Sequence, residues 1–158
     1  MAMGNNPGQL DHVALMVWPE HLEERVEELS RLLGVEFEFF EAPRQGIRGA
    51  LSSQSQLEFI APLRDGSGAS DSLVRLLEER GEGIHSITFG VADADASDAH
   101  LRANGVRTRG VYDAINEDTP AFVREEFSVI RECHLRERLS GALFVLSQIE
   151  RREGTADQ

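Results

Sequence analysis

The sequence predicts an α+β fold built from two copies of one βαβββ unit. Residues 10–17 and 84–91 both alternate between apolar and polar side chains, as half-buried strands do. Each stretch leads into a helical pattern that ends at a glycine, and three further strand patterns follow it. This repeated order indicates an internal duplication in which His12 of the first copy corresponds to Ser86 of the second.

The first unit is predicted over residues 10–63. Its helix places leucines and a valine three and four residues apart, and Gly34 follows as a residue type common just beyond helix ends. We expect this helix over 21–33 and strands over 10–17, 35–41, 47–52 and 56–61. A loop and a connector helix over 64–83 follow, with Asp71 or Ser72 as the helix cap.

The second unit is predicted over residues 84–150, so that the two units and the connector form one domain over 10–150. Its helix is expected over 94–104, and its strands over 84–91, 106–112, 126–132 and 142–149. Residues 113–125 are expected to be irregular, and 133–141 to separate the last two strands. Residues 1–9 are expected to be a disordered leader and 151–158 a frayed tail.

Composition restricts the classes of function. The 158 residues carry a net charge of −12, which disfavours nucleic acid and anionic membranes as partners. No apolar run approaches the roughly 20 residues of a membrane span, and the first residues lack the pattern of a secretory signal. Cys133 is the single cysteine, so no internal disulfide forms, and a cytoplasmic location is the expectation. All basic residues are arginine, which excludes lysine Schiff-base chemistry.

Three segments carry a family resemblance. They are residues 10–14 (LDHVA), 56–63 (QLEFIAPL) and 80–85 (RGEGIH). In this order and spacing they resemble the vicinal-oxygen-chelate superfamily of glyoxalases, bleomycin-resistance proteins and dioxygenases, and most closely its methylmalonyl-CoA epimerases. The resemblance implies that the two units form a curved-sheet cup with helices outside. It also implies a divalent metal in the cup (Co, Ni, Mn, Zn or Fe) and a homodimer.

The metal site implied by the resemblance is degenerate in this chain. The four ligand positions fall on His12, Glu58, Ser86 and Val145, and the position of the proton-abstracting glutamate falls near Gly49. Two ligands and the base are therefore missing, and three protein ligands are the usual minimum for a catalytic ion. The expectation is a protein without a cofactor. If a metal does bind, His12 and Glu58 are its ligands.

His85 is the candidate third ligand for such a metal. Strand alternation places it on the opposite face from Ser86, so only a one-residue shift in register would bring it to the site. Without a metal, His12 and Glu58 are the candidate catalytic residues, as a pair for acid–base chemistry.

Alternation along the strands also predicts the residues that line a small-molecule pocket. The lining is mostly apolar with a few polar groups, as in many ligand sites. It comprises His12, Ala14, Met16, Gln56, Glu58, Ile60, Ser86, Thr88, Leu143, Val145 and Ser147.

Three functional interpretations follow. The first is a protein that binds a small molecule, such as an acyl thioester or a small carboxylic acid, without efficient metal-dependent epimerase activity. The alternative is a divalent-metal-dependent epimerase or lyase of the methylmalonyl-CoA epimerase or glyoxalase type. A third is a metal-free enzyme that moves a proton next to a carbonyl. The sequence leaves open whether the protein is an enzyme.

Overall fold

The computed structural model describes residues 7–117 and 119–152. Within them, contacts separate two compact units. Unit one consists of residues 13–85, and unit two consists of residues 7–12 together with 86–152. The connector helix therefore belongs to unit one, whereas the first residues of the first strand belong to unit two. No helix in the described residues is both long and apolar enough to cross a membrane.

Unit one contains four strands and two long helices. The strand order is β2-β3-β4-β1, with β1 parallel to β4 and the other neighbours antiparallel. Short 3₁₀ turns at Pro19–His21 and Pro43–Gln45 precede α1 and β3. The elements are β1 Leu10–Met16, α1 Leu22–Leu33, β2 Glu38–Ala42, β3 Ile47–Ser52, β4 Leu57–Pro62 and α2 Gly68–Arg80.

The two helices of unit one bury apolar side chains in separate clusters. Leu22 and Val26 of α1 pack with Phe59 of β4. Leu77 of α2 packs with Met16 and Ile60 in the second cluster. Because residues at alternate strand positions point to opposite faces, neighbouring Phe59 and Ile60 reach different clusters. Helices thus cover both faces of these strands in unit one.

Unit two repeats the order of unit one and adds a short helix. Its strand order is β5-β8-β7-β6, with β5 parallel to β8 and the other neighbours antiparallel. The first three residues of β5 belong to unit one by contacts. The elements are β5 Gly83–Gly90, α3 Ala94–Ala103, β6 Thr108–Asp113, α4 Ala121–Glu126, β7 Phe127–Leu139 and β8 Ala142–Arg151.

The strand registers confirm the internal repeat. Ala14 of β1 pairs with Glu58 of β4, and Thr88 of β5 pairs with Val145 of β8. The N–H of Val17 donates to the carbonyl of Ile60, as the N–H of Val91 does to that of Ser147. These matched pairs make His12 equivalent to Ser86 and Glu58 equivalent to Val145, as the sequence predicts. The α+β class and the two βαβββ units are confirmed.

The largest departure from the predicted elements is the last hairpin. β7 continues to Leu139 through residues expected to be a break, and the turn that follows uses left-handed backbone at Ser140 and Gly141, with φ of 51° and 86°. The charged residues Arg136 and Glu137 fall in this part of the strand, where the pairing with β8 shifts register between His134 and Arg138. They are tolerated because their side chains are exposed to solvent and Arg136 N donates to the carbonyl of Arg107.

Other differences are smaller. The excursion expected after β6 contains α4, which buries Val123. Helix α2 starts earlier than expected, because the Ser67 side chain accepts a hydrogen bond from Ser70 N and caps it, rather than Asp71 or Ser72. Strand β2 begins at Glu38 rather than at residue 35.

Both chain ends are more ordered than expected where the structure describes them. Gly8 N donates to the carbonyl of Gly90, and Gly90 N donates to that of Gln9. Arg151 lies in β8, and Arg152 N donates to the carbonyl of Glu126. Residues 1–6 and 153–158, the rest of the predicted leader and tail, lie outside the described residues.

Candidate functional site

His12 is held by two side chains of unit two. It is buried in β1, and its Nδ1–H donates to Asp11 Oδ1 at 2.8 Å. The Thr88 hydroxyl lies 3.2 Å from Nε2. A carboxylate accepts only, so the first contact selects the tautomer with hydrogen on Nδ1, and Nε2 then accepts from Thr88. Both ring nitrogens are therefore engaged.

One face of the strands in unit two carries the predicted pocket residues of that half. Cross-strand partners point to the same face, which aligns Thr88 with Val145 and then with His134. The next row aligns Ser147 with Glu132. We call this surface the polar face. Its predicted members, namely Ser86, Thr88, Leu143, Val145 and Ser147, are all buried.

Ser147 stands out on the polar face. The residue is fully buried, with 0% exposure, and its hydroxyl has no hydrogen-bond partner among the described residues. A buried hydroxyl without a partner costs free energy that a serine on the surface does not. An unpaired hydroxyl at this point is therefore a candidate donor to a ligand.

Three further side chains on the polar face were not predicted. The Tyr112 hydroxyl donates to Glu132 Oε2 at 2.6 Å and lies 2.8 Å from His134 Nε2. The same nitrogen lies 3.1 Å from Glu132 Oε2. The rings of Tyr112 and His134 meet edge to face, with centroids 5.2 Å apart. We call Tyr112, Glu132 and His134 the β7 triad.

The β7 triad keeps its carboxylate ionised. Burial opposes ionisation of Glu132, but hydrogen bonds from His134 and Tyr112, together with the charges that His134 and His12 carry when protonated, outweigh it, so its pKa lies below the usual range. The site thus contains two histidine–carboxylate pairs, His12 with Asp11 on β1 and His134 with Glu132 on β7. The apolar side chain of Val145 and the hydroxyl of Ser147 belong to β8, which lies between β1 and β7 in the strand order.

In the internal repeat, Glu132 corresponds to Gly49, the position where this sequence lacks the glutamate base implied by the resemblance. Gly49 pairs with Ile60 in unit one, and Glu132 pairs with Ser147 in unit two. Since Ile60 and Ser147 are equivalent, Gly49 and Glu132 are equivalent too. A carboxylate is thus absent from this position in unit one and present in unit two.

The space above Gly49 is filled. A Cβ atom there would lie 2.5 Å from the Phe59 carbonyl oxygen and 2.6 Å from Cζ of Phe40. Phe40 pairs with Gly49, just as Tyr112 pairs with Glu132. In unit one the aromatic residue at this position, Phe40, covers a glycine. In unit two it is Tyr112, and its hydroxyl donates to a carboxylate.

The remaining predicted pocket residues belong to unit one. Glu58 is half-buried and pairs with Ala14, on the face predicted for it. Gln56 adopts left-handed backbone with φ of 57°, and its side-chain Nε2 is buried with no partner among the described residues. Met16 and Ile60 lie in the apolar cluster beneath α2. The predicted pair of His12 and Glu58 joins residues of different units and stays a prediction.

The residues at the implied metal positions fit a metal poorly. Val145 carries no donor atom, and both nitrogens of His12 are already engaged. Along β5, Ser86 is buried and His85 is half-buried, the alternation expected if His85 faces away. Within the described residues, no three His, Cys, Asp or Glu side chains form a group suited to a metal ion. The expectation of a protein without a resident metal stays a prediction.

Cys133 lies between Glu132 and His134 but on the opposite face. Its thiol donates to Asp98 Oδ1 at 3.4 Å, and burial, followed by the Asp98 carboxylate, raises its pKa to about 11. A thiol with this pKa is a poor nucleophile near neutrality. Because Cys133 and His134 alternate along β7, they point to opposite faces and do not act together as nucleophile and base.

Comparison with known proteins identifies a family model and several solved structures to which the chain is similar. Residues 9–122 match the family model described as the Glyoxalase/Bleomycin resistance protein/Dioxygenase superfamily. A methylmalonyl-CoA epimerase from Mycobacterium tuberculosis is 26% identical, with a TM-score of 0.68 over 94% of this chain and 92% of that chain. No curated protein sequence matches.

Two further solved structures contain ligands. A Streptomyces coelicolor methylmalonyl-CoA epimerase variant in complex with 2-nitronate-propionyl-CoA is 26% identical, with a TM-score of 0.65 over 94% of this chain and 98% of that chain. A methylmalonyl-CoA epimerase in complex with methylmalonyl-CoA and NH4⁺ is 29% identical, with a TM-score of 0.64 over 89% and 93% of the two chains.

Proposed function

The chain belongs to the glyoxalase/bleomycin resistance protein/dioxygenase superfamily, and we propose that it binds a small acyl ligand, either an acyl thioester or a small carboxylic acid. The observation that carries this proposal is the polar face of unit two. There the fully buried Ser147 hydroxyl has no partner among the described residues, beside Val145 and Glu132. A buried donor beside an apolar surface is the arrangement that orients a ligand with one polar group.

The neighbouring structures support the ligand class. Two of the solved epimerases similar to this chain hold CoA thioesters, one of 2-nitronate-propionate and one of methylmalonate. The chain covers nearly all of each of them, so the likeness is not confined to a fragment. An acyl thioester is therefore the first ligand to test.

We further propose that the protein lacks efficient metal-dependent epimerase activity. Ser86 and Val145 stand at two ligand positions implied by the resemblance, and Gly49 stands at the base position beneath the ring of Phe40. Metal polarisation and a positioned base each contribute orders of magnitude to such a reaction. Losing both leaves little rate by that route.

A binding measurement tests the first proposal. Titration calorimetry with methylmalonyl-CoA should give saturable binding to the protein in EDTA, and CoA alone should bind more weakly because it lacks the acyl group. Ser147→Ala should weaken binding of the thioester by about 5- to 50-fold, the value of one lost hydrogen bond to a ligand. Equal binding of CoA and the thioester would contradict an acyl site.

Metal analysis tests the second proposal. Untagged protein should contain far less than one equivalent of Co, Ni, Mn, Zn or Fe, and added Co or Mn should not raise turnover of methylmalonyl-CoA above the rate in EDTA. Turnover in the usual enzyme range of roughly 1–1000 per second that appears only with added metal would favour the alternative, a metal-dependent epimerase.

A further inference from the structure

His134 lies on the polar face, but the proposed binding of an acyl ligand does not use its side chain. Its Nε2 faces Tyr112 and Glu132, at 2.8 and 3.1 Å. Its Nδ1 carries no hydrogen bond within the part of the chain that the structure describes. The side chain is 22% exposed, and its hydrogen bonds to described residues all lie at Nε2.

The contacts also determine which nitrogen carries hydrogen. Tyr112 has a single hydroxyl hydrogen, and the short 2.6 Å contact assigns it to Glu132. The ionised carboxylate accepts only, so the contacts of His134 Nε2 are satisfied when Nε2 carries hydrogen. In the neutral ring Nδ1 is then a lone pair directed away from the triad. A carboxylate that fixes an imidazole tautomer in this way is the arrangement found in general bases.

We propose that His134 is the proton-accepting residue of the ligand site, with Glu132 and Tyr112 as its positioning residues. This inference rests on the proposed binding of an acyl thioester. In the step, the C–H bond next to the thioester carbonyl breaks and an N–H bond forms at His134 Nδ1. The electron pair of the broken bond moves to the carbonyl oxygen as an enolate, and Nδ1 later returns a proton to the carbon.

The enolate formed in this step needs a hydrogen-bond donor. Ser147 lies on the same face, diagonally across from His134 and directly opposite Glu132. Its hydroxyl is buried and unpaired within the described residues, so it can donate to an oxygen without breaking an existing bond. Donors placed in advance, in a site with little water, stabilise such charge strongly.

The other candidate bases are less suited. His12 uses both ring nitrogens, one with Asp11 and one with Thr88. Glu132 itself is a weak base, because its pKa lies below the usual range for the reasons given above. His134 therefore carries the proton, and Glu132 fixes its ring.

Hydrogen exchange tests the proposal directly. Methylmalonyl-CoA is incubated with the protein in D₂O containing EDTA, and deuterium at the carbon next to the carbonyl is measured by mass spectrometry. The wild-type protein should accelerate exchange above the buffer rate, and His134→Gln should reduce the acceleration by about 100-fold or more, the usual contribution of a general base. His100→Gln, which changes an exposed histidine of α3, should leave the rate unchanged.

The positioning residues have their own readouts. Glu132→Gln and Tyr112→Phe should lower kcat for exchange and leave KM nearly unchanged, because neither side chain is proposed to bind the thioester. Nitrogen chemical shifts of labelled protein should show hydrogen on Nε2 of His134, and Glu132→Gln should shift His134 toward a mixture of tautomers. Each variant is first compared with the wild type by circular dichroism, and Tyr112→Phe provides the milder change if His134→Gln unfolds.

The outcomes separate this inference from the proposed function. Binding of methylmalonyl-CoA without exchange above the buffer rate would overturn the proton-accepting role and leave the binding proposal intact. Exchange that survives His134→Gln, or a His134 ring with hydrogen only on Nδ1, would also overturn that role. Failure of the wild-type protein to bind the thioester would overturn both.

Discussion

Ser147 shows at the scale of one residue how the proposed ligand site departs from the rules of stable packing. Ser70 and Ser147 are both fully buried serines. The hydroxyl of Ser70 accepts a 2.8 Å hydrogen bond from Arg64 N, whereas that of Ser147 has no partner among the described residues. Folding therefore removes both hydroxyls from water but replaces only one of the lost hydrogen bonds.

Replacing these two serines should have opposite consequences. Ser147→Ala should leave the free energy of unfolding unchanged or raise it by about 1 kcal/mol, since an unpaired buried hydroxyl is removed. Ser70→Ala should lower it by roughly 1–2 kcal/mol, because Arg64 N loses its acceptor. Urea unfolding of the two variants measures both values. A loss above about 1 kcal/mol for Ser147→Ala would mean that the hydroxyl has a structural partner.

At the scale of single elements, β3 and β7 are equivalent strands with different tasks. β3 places Gly49 under Phe40 as part of the packing of unit one. β7 places Glu132 under Tyr112 as part of the polar face. The same position in the repeat thus supports packing in one unit and a charged group in the other.

The close packing of Gly49 predicts a measurable cost for a single methyl group. Gly49→Ala should lower the free energy of unfolding by about 1–3 kcal/mol, because the backbone oxygen of Phe59 cannot move away from the added carbon. Gly68→Ala is the control, since its added carbon would meet nothing within 4 Å in the first turn of α2. A neutral result for Gly49→Ala in a thermal unfolding experiment would contradict the packing described here.

β7 also shows what the sequence could and could not reveal. The elements with clear periodicity, such as α1 and β8, were predicted within a few residues. β7 was predicted to end at residue 132, with residues 133–141 as a break before the last strand. His134 was therefore placed in a connection, and its pairing with Glu132 and Tyr112 was missed. The signal available was the alternation of Glu132, Cys133 and His134, which places the two polar side chains on one face.

Local pattern was enough to predict which residues share one face of the strands. Alternation identified Ser86, Thr88, Val145 and Ser147 as members of one face, and their pairing in the structure agrees. Asp11 was missed as a partner of His12, because adjacent strand residues are expected to point apart, yet the side chains meet at 2.8 Å. Contacts between side chains on distant strands depend on register, which a single sequence does not specify.

At the scale of the whole molecule, the expectation of a homodimer rests on the two strands at the ends of the strand order. β2 and β6 each pair with one strand in the described residues, β3 and β7 respectively. Phe39 on β2 is 45% exposed. Open edges and exposed apolar side chains are commonly covered by a second subunit. We therefore expect a homodimer with about twice the 17.5-kDa chain mass. Light scattering at micromolar concentration checks this, and a monomer mass would contradict it.

The response of the whole protein to acid follows from carboxylates in both units. Burial opposes ionisation of Glu82, but a hydrogen bond from Trp18 N and interactions with His21 and Arg25 outweigh it, so its pKa is lowered. In unit two, the hydrogen bond from Thr108 is the main reason that the pKa of Asp98 is lowered. A carboxylate with a lowered folded-state pKa stabilises the fold above its unfolded-state pKa. That contribution is lost as the pH falls through the folded-state value.

The melting temperature should therefore be nearly constant from about pH 6 to 8 and fall below about pH 4.5, where carboxylates of the unfolded chain begin to take up protons. Glu82→Gln should melt below the wild type at pH 7, because it loses the charge that His21 and Arg25 contact. The difference should shrink as the wild-type Glu82 is protonated in acid. Glu27→Gln, an exposed change in α1, is the control and should follow the wild type at every pH. A difference for Glu82→Gln that stays constant down to pH 3 would show that its stabilising effect does not depend on charge.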